Sequence, residues 1–472
     1  MQKTRRILYV LALTGVAAAA LSAPLYAFAD TEAPDADPPV SVLSTGIPAA
    51  PEQPVRVGIG RSQTAVEVTA PQGLYVIADG AIRWEVPAGQ SVQLKLVNGA
   101  IEVVGLADRF TGPVRLVPKE PGGTQNPITY QRKPYRGEIE VVLSKKDGKL
   151  SVVNVVNLED YLKGVVPLEM PSKWPEEALK AQAVAARSYV LASLGGYKDE
   201  GFDVVDTTQS QVYGGIRAEV AATSAAVDAT QGEVVIYKGK VATTFFHSSS
   251  GGHTENNETI FASKPVAYLR GVPDYDNLPG NDRYHWTYNF TADEFASKLK
   301  AANFAVGEVE RVSPAGEIGA AGRPSQWRIT GSDGTVTLTA MQLRSALGVP
   351  GIVKTVDFTQ GGMGNLAESY EEGDQFYVIG ASGSQRITLD EVTVLGAGGE
   401  TEEMYEISAL GSVGILDGGI VVEGGGYGHG VGLSQWGANG MAQQGYTYRE
   451  ILAHYYQGTD IARLDAIAFH FQ

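Results

Sequence analysis

The chain of 472 residues is acidic: 53 Asp and Glu residues against 37 Lys and Arg residues give a formal net charge of −16 at pH 7. Hydrophobic residues make up 43% of the chain, which argues against a disordered protein, and an acidic chain lacks the basic face that nucleic-acid binding needs. The chain has no cysteine, which excludes disulfides, cysteine zinc sites, thiol nucleophiles and iron–sulfur clusters. The length allows about two to four domains.

The first 29 residues have the pattern of a signal peptide. A basic segment at 3–6 precedes an apolar run at 7–21, and Ala-Phe-Ala at 27–29 matches a small-residue cleavage site. The apolar run is short for a bilayer span, so cleavage is favoured over an uncleaved membrane anchor. The sequence therefore predicts a protein that is secreted or held at the cell wall, with no membrane span after cleavage.

Changes of pattern predict the domain organisation. Residues 30–54 contain six prolines and indicate an extended linker. From 55 to 150, short β-like runs alternate with turn residues about every ten positions, which is typical of a β-rich module. Helix and strand patterns then mix, and we expect a catalytic core at 151–290, a mixed extension at 291–423, and a glycine-rich motif at 424–472 that completes the core. The fold class is therefore expected to be α+β.

Within the core, residues 158–166 predict a short helix that Pro167 ends. A second helix is expected to begin at Pro175, with acidic residues in its first turn, and to stop at Gly195 and Gly196. Further helices are predicted at 292–302, at 340–348 and around 448–456. Residues 353–422 are β-like and could be an inserted module.

Glu169 lies between the first two predicted helices, in a constrained apolar segment. Leu168 and Met170 flank it, and Pro167 and Pro171 bracket it. A carboxyl that loses hydration has a raised pKa, which suits a general acid near neutral pH. A solvated loop glutamate is the alternative reading.

Arg187 and Tyr189 lie on the alanine-rich second helix. An arginine in such a helix either faces a groove, where it holds a substrate oxygen, or pairs with an acid. Contact with Glu169 would lower the pKa of that carboxyl and weaken it as an acid. We therefore favour a substrate-facing Arg187, and structural pairing with another acid stays open.

Small polar residues and glycines at 246–255 let a ligand approach the backbone, with Ser248 and Ser250 as candidate contacts. The same segment raises a zinc hypothesis. Its ligands would be His247, His253 and Glu255, with His285 or His429 as a further histidine. Because neither a His-Glu-x-x-His pattern nor a cysteine is present, we expect neither a metal nor a cofactor.

The glycine-rich segment at 424–437 matches neither a phosphate loop nor a dinucleotide fingerprint, because no Gly-Lys-Ser/Thr follows and no strand–helix unit with a downstream acid is present. It fits better as part of a sugar-sized site. Trp436 offers a flat apolar face for a pyranose ring, Gln435 can bond hydroxyls, and His429 lies among the glycines. A tightly packed structural turn is the alternative.

Four segments in this order resemble the stage II sporulation protein D (SpoIID) and amidase-enhancer family: 158–192, 245–255, 267–276 and 426–461. Together they span most of the chain after residue 150, and the combination is far more specific than any one segment. Residues 55–150 resemble the β-rich N-terminal part of the family less distinctively. Relatives that bind zinc near the serine-rich segment use cysteine ligands, which this chain lacks.

The resemblance implies a peptidoglycan lytic transglycosylase that acts on peptide-stripped glycan strands, with Glu169 as acid and then base. It implies substrate contacts at Arg187, Tyr189, Ser248, Tyr268, Arg270 and Asp276. Ordinary glycosidases use two carboxylates, whereas this reaction uses the sugar's own 6-hydroxyl as nucleophile. The expected partners are glycan strands and an N-acetylmuramoyl-L-alanine amidase. The alternatives are a non-catalytic glycan-binding amidase enhancer, a zinc hydrolase and a structural surface protein.

Overall fold

The computed structural model describes residues 52–119, 126–358 and 419–467, together with the backbone of four short strands between 375 and 402. The predicted signal peptide, nearly all of the proline-rich linker and most of the β-like segment 353–422 lie outside the described residues. Within the described part of the chain, every helix is too short or too polar to cross a membrane.

The N-terminal half is built from thirteen strands. They are β1 (Pro54–Gln63), β2 (Ala65–Thr69), β3 (Leu74–Ala78), β4 (Ala81–Val86), β5 (Ser91–Val97), β6 (Ala100–Val103), β7 (Arg109–Phe110), β8 (Val114–Pro118), β9 (Ile128–Tyr130), β10 (Lys133–Tyr135), β11 (Glu138–Leu143), β12 (Leu150–Asn157) and β13 (Val204–Val205).

These strands form two sheets, one of seven strands in the order β13-β1-β12-β11-β8-β3-β4 and one of six in the order β10-β9-β2-β5-β6-β7. All pairings are antiparallel except that of β1 with β13. Strand β5 alternates buried and exposed residues and so covers the core with one face, whereas β12 is buried along nearly its whole length. The predicted β-rich N-terminal part is confirmed.

Eight described helices and the remaining strands make up the mixed part of the fold. The helices are α1 (Leu158–Glu169), α2 (Glu176–Ala192), α3 (Ala221–Ala229), α4 (Asn257–Phe261), α5 (Ala292–Ala301), α6 (Ala340–Leu347), α7 (Gln435–Gln443) and α8 (Tyr448–Tyr455). The strands are β14 (Glu233–Tyr237), β15 (Lys240–Val241), β16 (Phe246–His247), β17 (Trp286–Thr291), β18 (Val309–Ile318), β19 (Pro324–Gly331), β20 (Gly334–Thr339), β21 (Ile352–Phe358), β22 (Gln375–Gly380), β23 (Gly383–Thr388), β24 (Val394–Leu395), β25 (Thr401–Glu402), β26 (Gly419–Gly425), β27 (Leu433–Ser434) and β28 (Asp460–Arg463). This combination confirms the α+β class.

The expectation that Pro167 ends the first helix is wrong, because α1 runs through Pro167 to Glu169. Pro167 has no N–H to donate to the carbonyl four residues earlier, and the helix continues for only two residues beyond it. The helix closes beyond it through the Met170 N–H, which donates to the Val166 carbonyl at 2.9 Å. Glu169 is therefore held by a helix and not by a free turn.

Helix α2 lies between two hydrophobic cores. Ala183, Ala186 and Val190 pack into the core of the β-rich part, whereas Ala181 and Ala185 pack into a second core with α7 and α8. Small side chains let the neighbouring elements approach the helix closely on both faces. The polar residues Gln182, Arg187 and Ser188 of α2 are therefore buried and must find partners inside the protein.

A third core lies in the sheets β17-β26-β21 and β18-β19-β20 and in the helices α5 and α6. Strand β26 pairs with both β17 and β21, and it leads directly into the glycine-rich segment. Because β26 belongs to the third core, that core fixes the position at which the glycine-rich segment 424–437 begins.

Candidate functional site

The carboxylate of Glu169 accepts two hydrogen bonds, both from uncharged donors. The Val212 N–H donates to Oε1 and the Gln435 side-chain amide donates to Oε2, each at 3.2 Å. Burial raises the pKa of Glu169, and the two hydrogen bonds oppose that rise. Among the residues that the structure describes, no cation and no second carboxylate is one of the groups that set its pKa, so Glu169 keeps its proton to a higher pH than an exposed glutamate does and can still release it.

Close packing against α1 brings the Val212 backbone to Glu169. The ring of Tyr213 lies so near Gly164 that a Cβ at that position would come within 2.6 Å of it. The Gly214 N–H donates to the Gly164 carbonyl at 3.1 Å. A residue larger than glycine at 164 would move the 212–214 segment, and the Val212 donor with it, away from the carboxylate.

The C-terminal motif reaches Glu169 through a short pairing of β16 with β27, which run parallel. Ser434 then caps α7 by accepting the Gly437 N–H at 3.1 Å, and this places Gln435 at the first position of the helix. The Trp436 N–H donates to the Ser248 carbonyl at 2.9 Å. The structure thus brings together four of the predicted site residues: Glu169, Ser248, Gln435 and Trp436.

Aromatic side chains line this region. The half-buried ring of Trp436 packs edge-on against Trp174, with 5.0 Å between the ring centroids. Tyr427 is 46% exposed, and the Arg283 guanidinium lies 5.5 Å from the centre of its ring. The Tyr427 backbone exchanges hydrogen bonds with Ser249, which fixes this ring beside the serine-rich segment. Exposed aromatic faces on a fixed backbone are suited to stacking on sugar rings.

Glycines make the Tyr427 turn possible. Gly426 and Gly428 have φ angles of +82° and +109°, which side chains rarely adopt. A Cβ at Gly426 would also lie 2.2 Å from the Ser249 carbonyl oxygen.

Ser250 and Asp276, both predicted to contact substrate, instead hold the loop at 249–252. The buried Asp276 carboxylate accepts the Ser249 hydroxyl and three backbone N–H groups, those of residues 250–252, at 2.7–2.9 Å. The Ser250 hydroxyl donates to Asp274 at 2.5 Å. Burial, with a contribution from Asp276, raises the pKa of Asp274 to about 6. The two predicted contacts therefore shape the loop next to Ser248.

Arg187 does not face a substrate in this structure. It is fully buried, and its guanidinium forms a two-pronged ion pair with Glu159 at 2.9 and 2.6 Å. It also donates to the carbonyls of Val227 and Glu233. The sequence left open whether Arg187 pairs with an acid of the protein, and the structure contains that pairing. Arg187 lies where α2 is packed on both sides, so its side chain cannot reach a groove.

Arg270 is likewise engaged within the protein. It forms a two-pronged ion pair with Glu258 at 2.6–2.7 Å and donates to Asn257 Oδ1 at 2.6 Å. The Tyr268 hydroxyl accepts the Thr243 N–H at 3.0 Å, and burial raises its pKa. Tyr189 packs edge-on against Phe245 and Phe246, with 6.1 Å between ring centroids in each pair. None of these contacts joins the three residues to Glu169.

The histidines form no metal centre: among the residues that the structure describes, no cluster of three or more His, Asp or Glu is arranged to hold an ion. The rings of His247 and His429 lie 5.4 Å apart, and burial lowers both pKa values, that of His429 to about 3. Nδ1 of His253 lies 2.7 Å from the Thr254 carbonyl, and buried Glu255 accepts the Ala321 N–H. These contacts support structural roles.

The comparisons agree with the resemblance seen in the sequence. A family model described as stage II sporulation protein (SpoIID) matches residues 146–237. The chain is 33% identical to an uncharacterised protein of Brachyspira hyodysenteriae over 74% of this chain and 78% of that protein. It is 30% identical to a stage II sporulation protein D of Bacillus amyloliquefaciens over 66% of this chain and 76% of that protein.

The chain is also 28% identical to the amidase enhancer of Bacillus subtilis, over 79% of this chain but only 50% of that protein. It therefore spans half the length of that relative. The fold and the motifs around Glu169 define a mixed α/β protein in which a glutamate with a raised pKa receives a hydrogen bond from Gln435, the neighbour of the half-buried Trp436. From the matched relatives, the chain belongs to the stage II sporulation protein D family.

Sequence reasoning missed several residues of the site: Gln182, Val212, Trp174, Tyr427 and Asp274. Tyr427 had a visible signal, because an aromatic residue between glycines marks a ring carried on a tight turn. Gln182 had a weaker one, as a lone amide among the alanines of α2. Val212 had none, because its backbone N–H and not its side chain reaches Glu169.

Proposed function

We propose that the protein is a peptidoglycan lytic transglycosylase that cleaves the bond between N-acetylmuramic acid and N-acetylglucosamine. The observation that supports this most directly is the environment of Glu169. Its pKa is raised by burial, it accepts hydrogen bonds from two neutral donors, and in the described part of the chain no second carboxylate is among the groups that set its pKa. A hydrolase of the usual kind needs two carboxyls at the reacting bond, whereas this reaction needs one.

In the proposed mechanism, protonated Glu169 donates its proton to the glycosidic oxygen as the bond from that oxygen to C1 of the muramic residue breaks. The resulting carboxylate accepts the proton of the muramic 6-hydroxyl while O6 bonds to C1. The products are a free 4-hydroxyl on the leaving sugar and a 1,6-anhydro ring, and no water is consumed. Glu169 ends the cycle protonated, and the attack gains from its intramolecular geometry.

The surrounding residues fit these two half-reactions. The Val212 N–H and the Gln435 amide stabilise the carboxylate form, which must exist midway. Burial stabilises the acid form, which must exist at the start. Trp436 and Tyr427 offer rings on which the sugar units would stack.

Two wider expectations belong to the same proposal. The signal-peptide pattern at 1–29 supports export, and so a site of action at the cell wall. A relative named amidase enhancer supports a functional link to an amidase, which would supply peptide-stripped glycan. That name also favours a second candidate function, in which the protein binds glycan without cleaving it and assists the amidase.

The test is to incubate the mature chain, and its Glu169→Gln variant, with peptide-stripped glycan strands and to identify the products by mass spectrometry. We expect anhydro-muramic ends from the wild type and none from the variant. Reducing ends, heavier by one water, would indicate a hydrolase and contradict the mechanism. No products from either protein, together with an undiminished stimulation of an amidase by Glu169→Gln, would favour the binding function.

A further inference from the structure

The side chain of Gln182 is buried in α2 next to the site, and it contacts the residue that contacts Glu169. Gln182 is 0% exposed. Its carbonyl oxygen lies 3.4 Å from the Gln435 side-chain nitrogen, the same nitrogen that donates to Glu169 at 3.2 Å. The Gln435 amide nitrogen thus lies within hydrogen-bond distance of two acceptors.

This geometry determines which end of the Gln435 amide faces the carboxylate. If the amide were turned by 180°, its oxygen would face the oxygens of both Glu169 and Gln182, and both contacts would be repulsive. Without the Gln182 carbonyl, only Glu169 would oppose that rotation, and it would do so only while ionised. With its carbonyl facing Gln435, as it does in the structure, Gln182 opposes that rotation whatever the protonation state of the carboxyl.

A glutamine at this position is costly for folding. The Gln182 side-chain nitrogen is buried and, within the described part of the chain, has no hydrogen-bond partner. An unsatisfied buried amide destabilises a fold, and an apolar residue of equal size would avoid this cost. The function of a fixed acceptor for Gln435 accounts for the polar group where core packing does not.

We propose that Gln182 is a positioning residue, whose carbonyl holds the Gln435 amide with its N–H toward Glu169 and thereby sets the proton affinity of that carboxyl. The inference rests on the proposed acid–base function of Glu169. Among the residues that the structure describes, the groups that act on Glu169 are neutral: the Val212 N–H, the Gln435 amide and the buried phenol of Tyr161, whose pKa is raised well above its usual value.

The variant Gln182→Met keeps an unbranched side chain of similar size and removes the acceptor. We expect the pKa of Glu169 to rise by about half to one unit, because the carboxylate loses a well-directed donor. In cleavage assays the alkaline limb of the kcat profile, where the acid form disappears, should move to higher pH by the same amount with KM unchanged. The melting temperature should stay equal or rise.

A double variant shows whether Gln182 acts on Glu169 through Gln435. If Gln182 acts through Gln435, the double variant Gln182→Met/Gln435→Met should have the same pH profile as Gln435→Met alone. The matched control is Thr244→Val, which removes a buried polar group that also contacts α2, through the Ala185 carbonyl at 2.7 Å. The control should leave the profile unmoved.

The inference can be tested even if the proposed enzymatic function is wrong. Titration of the Glu169 carboxyl by carbon-13 NMR, with the signal assigned through Glu169→Gln, reports the pKa without any substrate. An unmoved pKa in Gln182→Met, or shifts that add in the double variant, would overturn the inference. Should Gln182→Met fail to fold, Gln182→Leu is the second variant and carries the same expectation.

Discussion

Helix α1 carries a glutamate in its first turn and another at its end, and the protein treats the two in opposite ways. Glu159 pairs in two-pronged fashion with the fully buried Arg187 and also accepts the Gly232 N–H at 3.1 Å. Glu169, about 15 Å further along the helix axis, accepts hydrogen bonds from two neutral donors, the Val212 N–H and the Gln435 amide. The first carboxylate has a buried cation as its partner, whereas burial raises the pKa of the second.

The difference shows how one residue type supports either structure or chemistry. A cation within contact distance stabilises the ionised form so strongly that proton transfer becomes unfavourable. Neutral amides stabilise that form only moderately, so that burial can offset them. The assignment of Arg187 to Glu159 therefore leaves Glu169 free of a positive partner, as an acid requires.

The largest expected effect is the loss of activity in Glu169→Gln. Removing a general acid–base group lowers the rate by about 10²–10⁴-fold, whereas the helix end keeps its shape. Initial rates of anhydro-end formation and a thermal melt measure the two properties. Glu159→Gln is the matched control, because its folded fraction should form anhydro ends at the wild-type rate. Equal activity losses in the two variants would contradict the division of roles.

The next largest effect is on stability, in Glu159→Gln. Arg187 would remain fully buried with no counter-ion, a loss of about 3–5 kcal/mol in the free energy of unfolding. Urea denaturation measures it. Asp465→Asn, which breaks the exposed pair with Arg463, serves as the control and should leave the free energy of unfolding nearly unchanged. A small effect for Glu159→Gln would mean that the Arg187 pair is not the structural anchor.

A smaller effect concerns the pH dependence of stability at Glu169. Because its pKa in the folded protein lies above the unfolded value near 4.5, the folded state holds the proton more tightly, and wild-type stability falls as pH rises from 4.5 through the folded pKa. Glu169→Gln has no carboxyl to titrate, so its stability does not fall in this way. As pH rises across this window, the free energy of unfolding of the variant should therefore increase relative to that of the wild type, by about 1.4 kcal/mol per unit of pKa shift.

Denaturation at a series of pH values from 4 to 8 measures this difference. A constant difference between variant and wild type would show that the Glu169 pKa is not raised. A difference that changes in the opposite direction would show that the pKa of Glu169 is lowered by folding and not raised.

The smallest effect is on glycan binding at Tyr427. Removing one stacking ring in Tyr427→Ala should weaken binding about threefold to tenfold, whereas Tyr427→Phe keeps the ring and should bind as the wild type does. Equilibrium binding of peptide-stripped strands, measured in the Glu169→Gln background, separates binding from cleavage. Weaker binding by Tyr427→Phe as well would point to the hydroxyl and not the ring.

The helices at 292–301 and 340–347 and the β-rich N-terminal part follow from local patterns, and the structure contains them with bounds close to those predicted. Local patterns succeed there because periodicity and capping are properties of neighbouring residues. Pro167 shows the limit. The rule that proline breaks a helix holds for helix interiors, and only the full packing shows that this proline lies in the last turn.

The sequence by itself determined the α+β class and the family, and it indicated that Glu169 lies in apolar surroundings. Only the tertiary structure decided which partner each polar side chain has. Arg187 meets Glu159 and not a substrate, and Gln435 meets Glu169 across 266 residues of chain. A residue's neighbours in sequence show its type and its local backbone, but the hydrogen bonds and the burial that set a pKa come from atoms that only the folded chain brings together.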